Sequence, residues 1–140
     1  MIKLIAFDLD GTITDTVAMC LEVFEKALSP YVGHTLTKEE IIQTFGLNER
    51  GMVKLLVKDQ WEKALQDVYD LYEKMHYKCD TPFEGIVELI EGLKSKDVIV
   101  SMITGKGRET CEITLDKLHM KHLFVDIMTG GEFKNCKGDS

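Results

Sequence analysis

The sequence lacks the features that mark membrane, secreted and nucleic-acid-binding proteins. No apolar run approaches the roughly 20 residues of a membrane span, and the N-terminus has no secretory signal pattern. There is no internal repeat, low-complexity run or linker. The net charge of −7 opposes binding to a nucleic-acid backbone. These absences favour a cytoplasmic protein that has neither a membrane nor a nucleic acid as its partner.

Cysteine is also scarce. The four cysteines, Cys20, Cys79, Cys111 and Cys136, have neither C-x-x-C nor zinc-site spacing. We interpret them as reduced thiols that mostly fill core positions. The 44% hydrophobic content of the 140 residues is enough for one packed domain, or for a small core with an insertion.

One short segment dominates what is present. Residues 4–7 form an apolar run that stops at two acids, Asp8 and Asp10, followed by Gly11 and Thr12. A run of this length, bounded by turn residues, predicts a strand buried on both faces. Alternation along the strand sends both carboxylates to one side, at the sheet edge where α/β proteins bind ligands.

An ordinary Asp-Gly turn explains Asp10 and Gly11 but does not explain Asp8. A catalytic interpretation uses the whole D-x-D-G-T pattern. Asp8 is then a carboxylate nucleophile that accepts a phosphoryl group, and Asp10 is the acid and base that serves the leaving group and water. We favour this second interpretation.

The F-D-L-D-G-T sequence of residues 7–12 resembles the first motif of the haloacid-dehalogenase-like (HAD) superfamily, in its phosphatase branch. The overall pattern is most similar to enzymes of the phosphoglycolate-phosphatase kind. The resemblance implies a Rossmann-like core, Mg²⁺ and an aspartyl-phosphate intermediate. The true dehalogenases lack the second aspartate, so Asp10 favours phosphoryl transfer.

Residues 15–79 have helical spacing throughout. Helices are predicted from Asp15 or Thr16 to Ser29-Pro30, from the capping box at residues 37–40 to Phe45, from Asn48, and from Trp61 to Met75. The segment resembles the helical C1 cap of the HAD family, inserted after the first motif. Three polar residues near helix ends are more typical of solvated or capping positions than of substrate contacts: Thr16, Thr44 and Arg50.

The fold class is therefore α/β, a Rossmann-like core of residues 1–14 and 80–140 with a helical cap of residues 15–79. The core should continue with a helix that has Pro82 in its first turn and an apolar face of Ile86, Leu89, Ile90 and Leu93. A strand over residues 98–103, a helix over 108–119 and a strand over 123–128 are then predicted.

The second strand ends in Thr104 and Gly105. A hydroxyl, an approachable glycine amide and the start of a helix near Arg108 together favour a phosphate site. Thr104 matches the Ser or Thr of the second HAD motif. Lys106 and Arg108 rank below it, since they are expected only to improve the local potential.

The family next implies a lysine after the third strand. Lys134 and Lys137 lie in that region, and spacing favours Lys137. The phosphate-binding set is thus Thr104, Gly105 and Lys137. Metal binding is assigned to Asp8 and Asp10, joined by Asp139, which lies in a G-D-S tripeptide similar to the start of the fourth motif.

That tripeptide follows Lys137 directly, without the helix and strand that normally intervene. Either the match is accidental, or the chain is truncated or lacks an internal segment. With only three core strands, the first strand would lie at an exposed edge, open to a homodimer or a swapped assembly. The leading function is Mg²⁺-dependent hydrolysis of a small phosphorylated metabolite. A sugar phosphomutase of the β-phosphoglucomutase kind and a non-catalytic binding protein remain alternatives.

Overall fold

A computed structural model describes residues 3–130 as an α/β fold with one parallel sheet. Its strands are β1 (Lys3–Phe7), β2 (Val98–Ile103) and β3 (Ile127–Met128). Its α-helices are α1 (Val17–Val32), α2 (Lys38–Ile42), α3 (Glu49–Leu56), α4 (Trp61–Met75), α5 (Ile86–Ser95) and α6 (Arg108–Leu118). Short 3₁₀ helices span His76–Cys79 and Lys121–Leu123. None of the helices within residues 3–130 is both long and apolar enough to cross a bilayer.

The sheet order is β1-β2-β3, and both pairings are parallel. Lys3 lies opposite Val98, and Phe7 lies opposite Met102. Because the strands run in the same direction, the segments that follow β1 and β2 emerge at the same edge of the sheet. This edge therefore receives the two aspartates and Thr104, as the sequence predicts.

The described residues form two hydrophobic clusters. One is built by the helices of residues 17–79, which we call the helical segment, and its fully buried members include Val23, Leu28 and Tyr72. The other packs α5 and α6 on the sheet, around Ile90 and Met102. The two clusters lie on either side of the expected division into cap and core, whose boundaries stay a prediction.

The expectation that β1 is buried on both faces is wrong for the part of the chain that the structure describes. Leu4 is 64% exposed and Ile5 is 37% exposed. The cause is topological, because β1 is an edge strand and no other strand within residues 3–130 pairs with its outer side. The sequence-based expectation that β1 becomes an edge of this sheet is confirmed for these residues.

Helix ends also differ from the sequence-based expectations. α1 does not stop at Ser29-Pro30 but continues to Val32, where Gly33 ends it in a left-handed conformation (φ 90°). The capping box of Thr37 is present, although α2 ends at Ile42 and does not reach Phe45. Pro30 lies inside the last turn of α1, where it cannot donate a backbone hydrogen bond.

The expected helix at Pro82 begins later. α5 starts at Ile86 because Gly85, with φ 84°, breaks the backbone just before it. Ile90 is its fully buried residue, whereas Leu89 is 51% exposed and does not belong to an inward face. The third strand is also shorter than predicted, since a 3₁₀ turn takes up the start of that apolar run.

A buried polar group joins the helical segment to α6. The Thr114 hydroxyl lies 2.6 Å from the Tyr72 hydroxyl and 2.8 Å from Nε2 of His76. His76 is fully buried, and its Nδ1 has no hydrogen-bond partner. Burial lowers the pKa of His76 below its ordinary value of 6.5.

This environment predicts that stability falls in acid. Below pH 6.5 His76 becomes protonated in the unfolded chain but stays neutral in the folded chain, because its pKa is lower there. The free energy of unfolding therefore decreases as pH falls through that value. The slope is at most about 1.4 kcal/mol per pH unit. Denaturant titrations between pH 5 and 8 should show a shallower slope in His76→Gln, while the exposed control His122→Gln should keep the wild-type slope. Equal slopes in all three proteins would contradict this assignment.

The exposed edge gives a second prediction. We expect a polypeptide of these 140 residues to dimerise, swap segments or aggregate through β1, because Leu4 and Ile5 present apolar surface beside unpaired backbone groups. Leu4→Lys should reduce this association. Sizing chromatography at micromolar concentration measures it, and clean monomeric behaviour of the wild-type chain would contradict the prediction.

Candidate active site

A cavity of about 280 Å³ lies between the carboxyl edge of the sheet and the helical segment. The sheet side supplies Asp8, Asp10, Thr104, Gly105 and Lys106. The helical side supplies Val17, Cys20, Phe24, Phe45, Gly46, Leu47, Glu49 and Met52. The structure thus brings together four of the residues that the sequence assigned to catalysis, phosphate and metal, namely Asp8, Asp10, Thr104 and Gly105.

Asp8 is the exposed carboxylate of the pair. One of its oxygens accepts a hydrogen bond of 2.7 Å from the Leu9 amide. Leu9 itself is fully buried in the cluster beneath the sheet edge, so it points away from the cavity as alternation predicts. The chain then turns at Gly11, whose φ of 78° suits glycine.

Asp10 is held more firmly. The Thr16 hydroxyl donates to its Oδ1, and the Lys106 ammonium lies 3.3 Å from its Oδ2. Thr16 is fully buried and makes no side-chain cap for α1. The expectation of a solvated or capping role for Thr16 is therefore wrong, because its hydroxyl is turned towards Asp10.

The loop after β2 presents Thr104 and Gly105 to the cavity. Thr104 is buried, its amide donates to the Met128 carbonyl (3.0 Å), and its hydroxyl oxygen accepts from the Lys106 amide (3.2 Å). The O–H of Thr104 can therefore still donate to a ligand. Gly130 packs so closely here that a Cβ would lie 2.3 Å from the Gly105 carbonyl oxygen.

Lys106 has a more central place than the sequence suggested. Its side chain is only 2% exposed, and its ammonium lies between Asp10 and Glu49, 3.3 and 3.4 Å from their carboxylates. It also lies 3.3 Å from the Cys20 sulfur and 4.7 Å from the centre of the Tyr72 ring. A lysine buried to this extent needs such partners to stay charged.

The pKa of Lys106 is raised well above its ordinary value. Burial by itself disfavours the ammonium, but the negative charges of the Glu49 and Asp10 carboxylates beside it outweigh that effect. Burial raises the pKa of Cys20 to about 11 and also raises the pKa of Tyr72, so both are neutral at neutral pH. The charge of Lys106 is therefore balanced by the two carboxylates.

Glu49 is a residue that the sequence interpretation missed. It begins α3, yet it is buried against the core, where it accepts hydrogen bonds from the Gly107 amide (2.8 Å) and the Thr110 hydroxyl (2.7 Å). The signal available in the sequence was only an acid after Asn48 at a helix start, which is ordinary for a solvated first turn.

The position of Glu49 also corrects the expected role of α6. We expected the positive end of this helix to face a phosphate, but its N-cap amide, that of Gly107, donates to Glu49. Arg108 does not line the cavity, and it binds Glu112 (3.2 Å) and the Ile127 carbonyl (2.9 Å).

The other polar candidates of the helical segment lie elsewhere. Thr44 is buried and donates to the Ile41 carbonyl in the last turn of α2, so of the two expected roles it has the capping one and not the solvated one. Arg50 is exposed and lies over the Trp61 ring. Lys134, Cys136, Lys137 and Asp139 fall outside residues 3–130, so their assignments stay predictions.

The local charge bears on whether Mg²⁺ suits this site. Among the described lining residues, three carboxylates face one ammonium, which leaves a formal charge of −2. A dianionic phosphate would be repelled unless a cation reduced that charge. Asp8 and Asp10 are oxygen donors of the kind that Mg²⁺ prefers, and one or two carboxylates plus water suffice. Within residues 3–130, no three Asp, Glu, His or Cys side chains are grouped so that they alone could hold a metal ion. The donors present therefore fit Mg²⁺ as part of a site.

Comparison with known proteins identifies the family to which this chain belongs. The family model described as haloacid dehalogenase-like hydrolase matches residues 5–140. The chain belongs to this family. It is 30% identical over 131 residues to a protein of Caldanaerobacter subterraneus provisionally assigned as the pyrophosphatase PpaX, covering 94% of this chain and 59% of that protein. It is 27% identical to phosphoglycolate phosphatase of Agrobacterium fabrum, covering 96% of this chain and 61% of that enzyme.

The fold is also similar to that of solved structures. CbbY of Rhodobacter sphaeroides, crystallised with phosphate, superposes with a TM-score of 0.76 over 94% of this chain and 64% of that one, at 16% identity. This likeness shows the fold and confirms the α/β, Rossmann-like expectation. The chain spans about 60% of the length of the two curated relatives named above.

The ion cluster leads to a stability prediction. Lys106→Met removes the cation and leaves two buried or half-buried carboxylates without it, which should lower the free energy of unfolding by about 3 kcal/mol or more. Adding Glu49→Gln should recover part of this loss, since one uncompensated charge is then gone. Denaturant unfolding measures both effects. Lys63→Met, at an exposed position of α4, is the control and should change stability little, and an equally small loss in Lys106→Met would contradict the prediction.

Proposed function

We propose that the chain is a Mg²⁺-dependent phosphatase that hydrolyses a small phosphomonoester through an aspartyl-phosphate on Asp8. The observation that carries the proposal is the contrast between two carboxylates facing one cavity. Asp8 is exposed, whereas the oxygens of Asp10 are held by Thr16 and Lys106. Acidic groups in different surroundings take different roles. Asp8 is the nucleophile, and Asp10 is the acid and base.

In the first step an oxygen of Asp8 attacks phosphorus and the bond to the leaving oxygen breaks. Asp10, which is ionised beside Lys106 in the free site, takes up a proton from solvent before this step and gives it to the leaving oxygen. In the second step Asp10 takes a proton from water, the resulting hydroxide attacks phosphorus, and the bond to Asp8 breaks. Inorganic phosphate leaves, Asp10 releases its proton to solvent, and both carboxyl groups return to their starting states. Thr16 fixes the direction of Asp10 for both proton transfers.

Three residues would hold the phosphoryl oxygens. The Thr104 hydroxyl has a hydrogen to donate, because its oxygen already accepts from the Lys106 amide. The Gly105 amide and Lys137 complete the set, and Lys106 adds positive charge beside Asp10.

Mg²⁺ would be held by Asp8, Asp10 and Asp139. Because both carboxylate oxygens of Asp10 are engaged, its contribution would be the main-chain carbonyl. When bound, the ion neutralises charge on the phosphoryl oxygens and offsets the negative potential of the cavity.

The helical segment would act as the cap of this site. Its contribution to the cavity is mainly apolar, from Val17, Phe24, Phe45, Leu47 and Met52. Such a wall excludes water from the reacting groups. The volume of about 280 Å³ suits a small phosphorylated metabolite as substrate.

Two alternatives use the same residues. A phosphomutase would return the phosphoryl group from Asp8 to a sugar, and it would accumulate an isomerised sugar phosphate in place of free phosphate. A non-catalytic binding protein would hold phosphate without turnover. The curated relatives named above as phosphatases favour hydrolysis over both.

The test is phosphate release from an aryl phosphate by the 140-residue chain, with and without Mg²⁺. We expect turnover that requires Mg²⁺ and is abolished in Asp8→Asn, because the amide cannot accept the phosphoryl group. Asp15→Asn, at an exposed acid that does not line the cavity, is the matched control and should keep wild-type activity. Turnover that survives Asp8→Asn, or none above that variant in the wild type, would contradict the proposal.

A further inference from the structure

We propose that Glu49 is a positioning residue of this site: seated at the start of α6, it holds the Lys106 ammonium against Asp10 and makes that contact depend on the docking of α3. The inference rests on the proposed function for its kinetic consequence. Its structural part stands on the contacts of Glu49 and Lys106 alone.

Glu49 is bound to the start of α6 through its carboxylate. Its two carboxylate oxygens are used separately, since Oε1 accepts from the Gly107 amide and Oε2 accepts from the Thr110 hydroxyl. The fit at Gly107 is close, because a Cβ there would lie 2.6 Å from Oε1. Glycine at this position therefore leaves room for a carboxylate that arrives from another part of the chain.

The same Glu49 carboxylate also contacts the Lys106 ammonium. Oε2 of Glu49 is 3.4 Å from the Lys106 ammonium, which is 3.3 Å from Oδ2 of Asp10 on its other side. The ammonium thus bridges an acid of the helical segment and an acid of the sheet edge. A buried cation between two fixed anions has little freedom to move.

Lys106 is surrounded mainly by side chains of the helical segment. The lysine belongs to the loop after β2, yet three of its four side-chain neighbours come from the helical segment: Cys20 of α1, Glu49 of α3 and Tyr72 of α4. Cys20 and Tyr72 are neutral at neutral pH, so Glu49 is the charged one of these three. If α3 lifts from α6, the ammonium loses one of its two charged partners and keeps only Asp10 as a counter-ion.

The consequence for the reaction is geometric. Without Glu49, the Lys106 ammonium moves towards the carboxylates at the sheet edge, and the orientation of the Asp10 carboxylate changes with it. The proposed phosphate contacts at Thr104 and Gly105 do not involve Glu49 in this structure. We therefore expect loss of Glu49 to lower kcat by about 10- to 100-fold, as small displacements of reacting groups do, without a rise in KM.

Three variants separate positioning from a merely structural role. Glu49→Gln can keep the hydrogen bonds to Gly107 and Thr110 but loses the charge that holds Lys106. Gly107→Ala keeps the charge but displaces the carboxylate. Thr110→Val removes one bond of the seat and leaves the charge in place. Glu39→Gln, an exposed acid in the first turn of α2, is the matched control.

All variants are assayed at a temperature where each is folded by circular dichroism. Positioning predicts that kcat falls in Glu49→Gln and Gly107→Ala, falls less in Thr110→Val, and stays at the wild-type value in the control. Glu49→Asp, which keeps the charge, should recover part of the kcat lost in Glu49→Gln. A kcat that follows unfolding free energy across the series, or a wild-type kcat in Glu49→Gln, would overturn the proposal.

A second measurement does not need activity. In ¹H–¹⁵N spectra selective for lysine ammonium groups, a buried and bonded ammonium exchanges slowly enough to be seen at neutral pH, and the Lys106 signal is assigned by its loss in Lys106→Met. We expect it in the wild type, Thr110→Val and Glu39→Gln, and we expect its loss or broadening in Glu49→Gln and Gly107→Ala.

Phosphate release and the Lys106 ammonium signal test the proposed function and the positioning role independently. If the chain releases no phosphate but the Lys106 signal depends on Glu49, the proposed function is wrong and the positioning contact stands. If the chain is an active phosphatase and the signal is unchanged in Glu49→Gln, or absent in the wild type, the positioning role is wrong.

Discussion

The structure depends on one buried cation. The Lys106 ammonium, 2% exposed, is stable there only because Asp10 and Glu49 lie on either side of it. Asp10 belongs to the loop after β1, Lys106 to the loop after β2, and Glu49 to α3. A single charge therefore connects the two strands that build the sheet edge with the helices that cover it.

This arrangement explains how two separately packed parts meet at one cavity. The helical segment and the sheet each bury their own apolar residues, so the boundary between them is free to carry polar chemistry. Within the described residues several polar contacts span it, among them the Lys106 cluster at the cavity and the group formed by Tyr72, His76 and Thr114. Both of these groups join the helical segment to α6 or to the loop before it. α6 is therefore the element against which the helical segment is positioned.

Much of this was accessible from the sequence, for clear physical reasons. β2 and α4 were predicted because their apolar patterns are strong, and Asp8, Asp10, Thr104 and Gly105 were predicted because parallel strands deliver their ends to one edge. Thr16, Lys106 and Glu49 were missed or ranked low, since local pattern cannot show that a polar residue is buried by a distant helix. The exposure of β1 followed from strand order and not from its apolar composition.

The central claim is that Asp8 becomes covalently phosphorylated. The most direct measurement is peptide mass spectrometry after acid quench of the chain mixed with an aryl phosphate and Mg²⁺. We expect the mass of one added phosphoryl group on the peptide that contains Asp8, and no such addition in Asp8→Asn. A phosphoryl group on another residue, or phosphate release from a chain that never carries one, would contradict it.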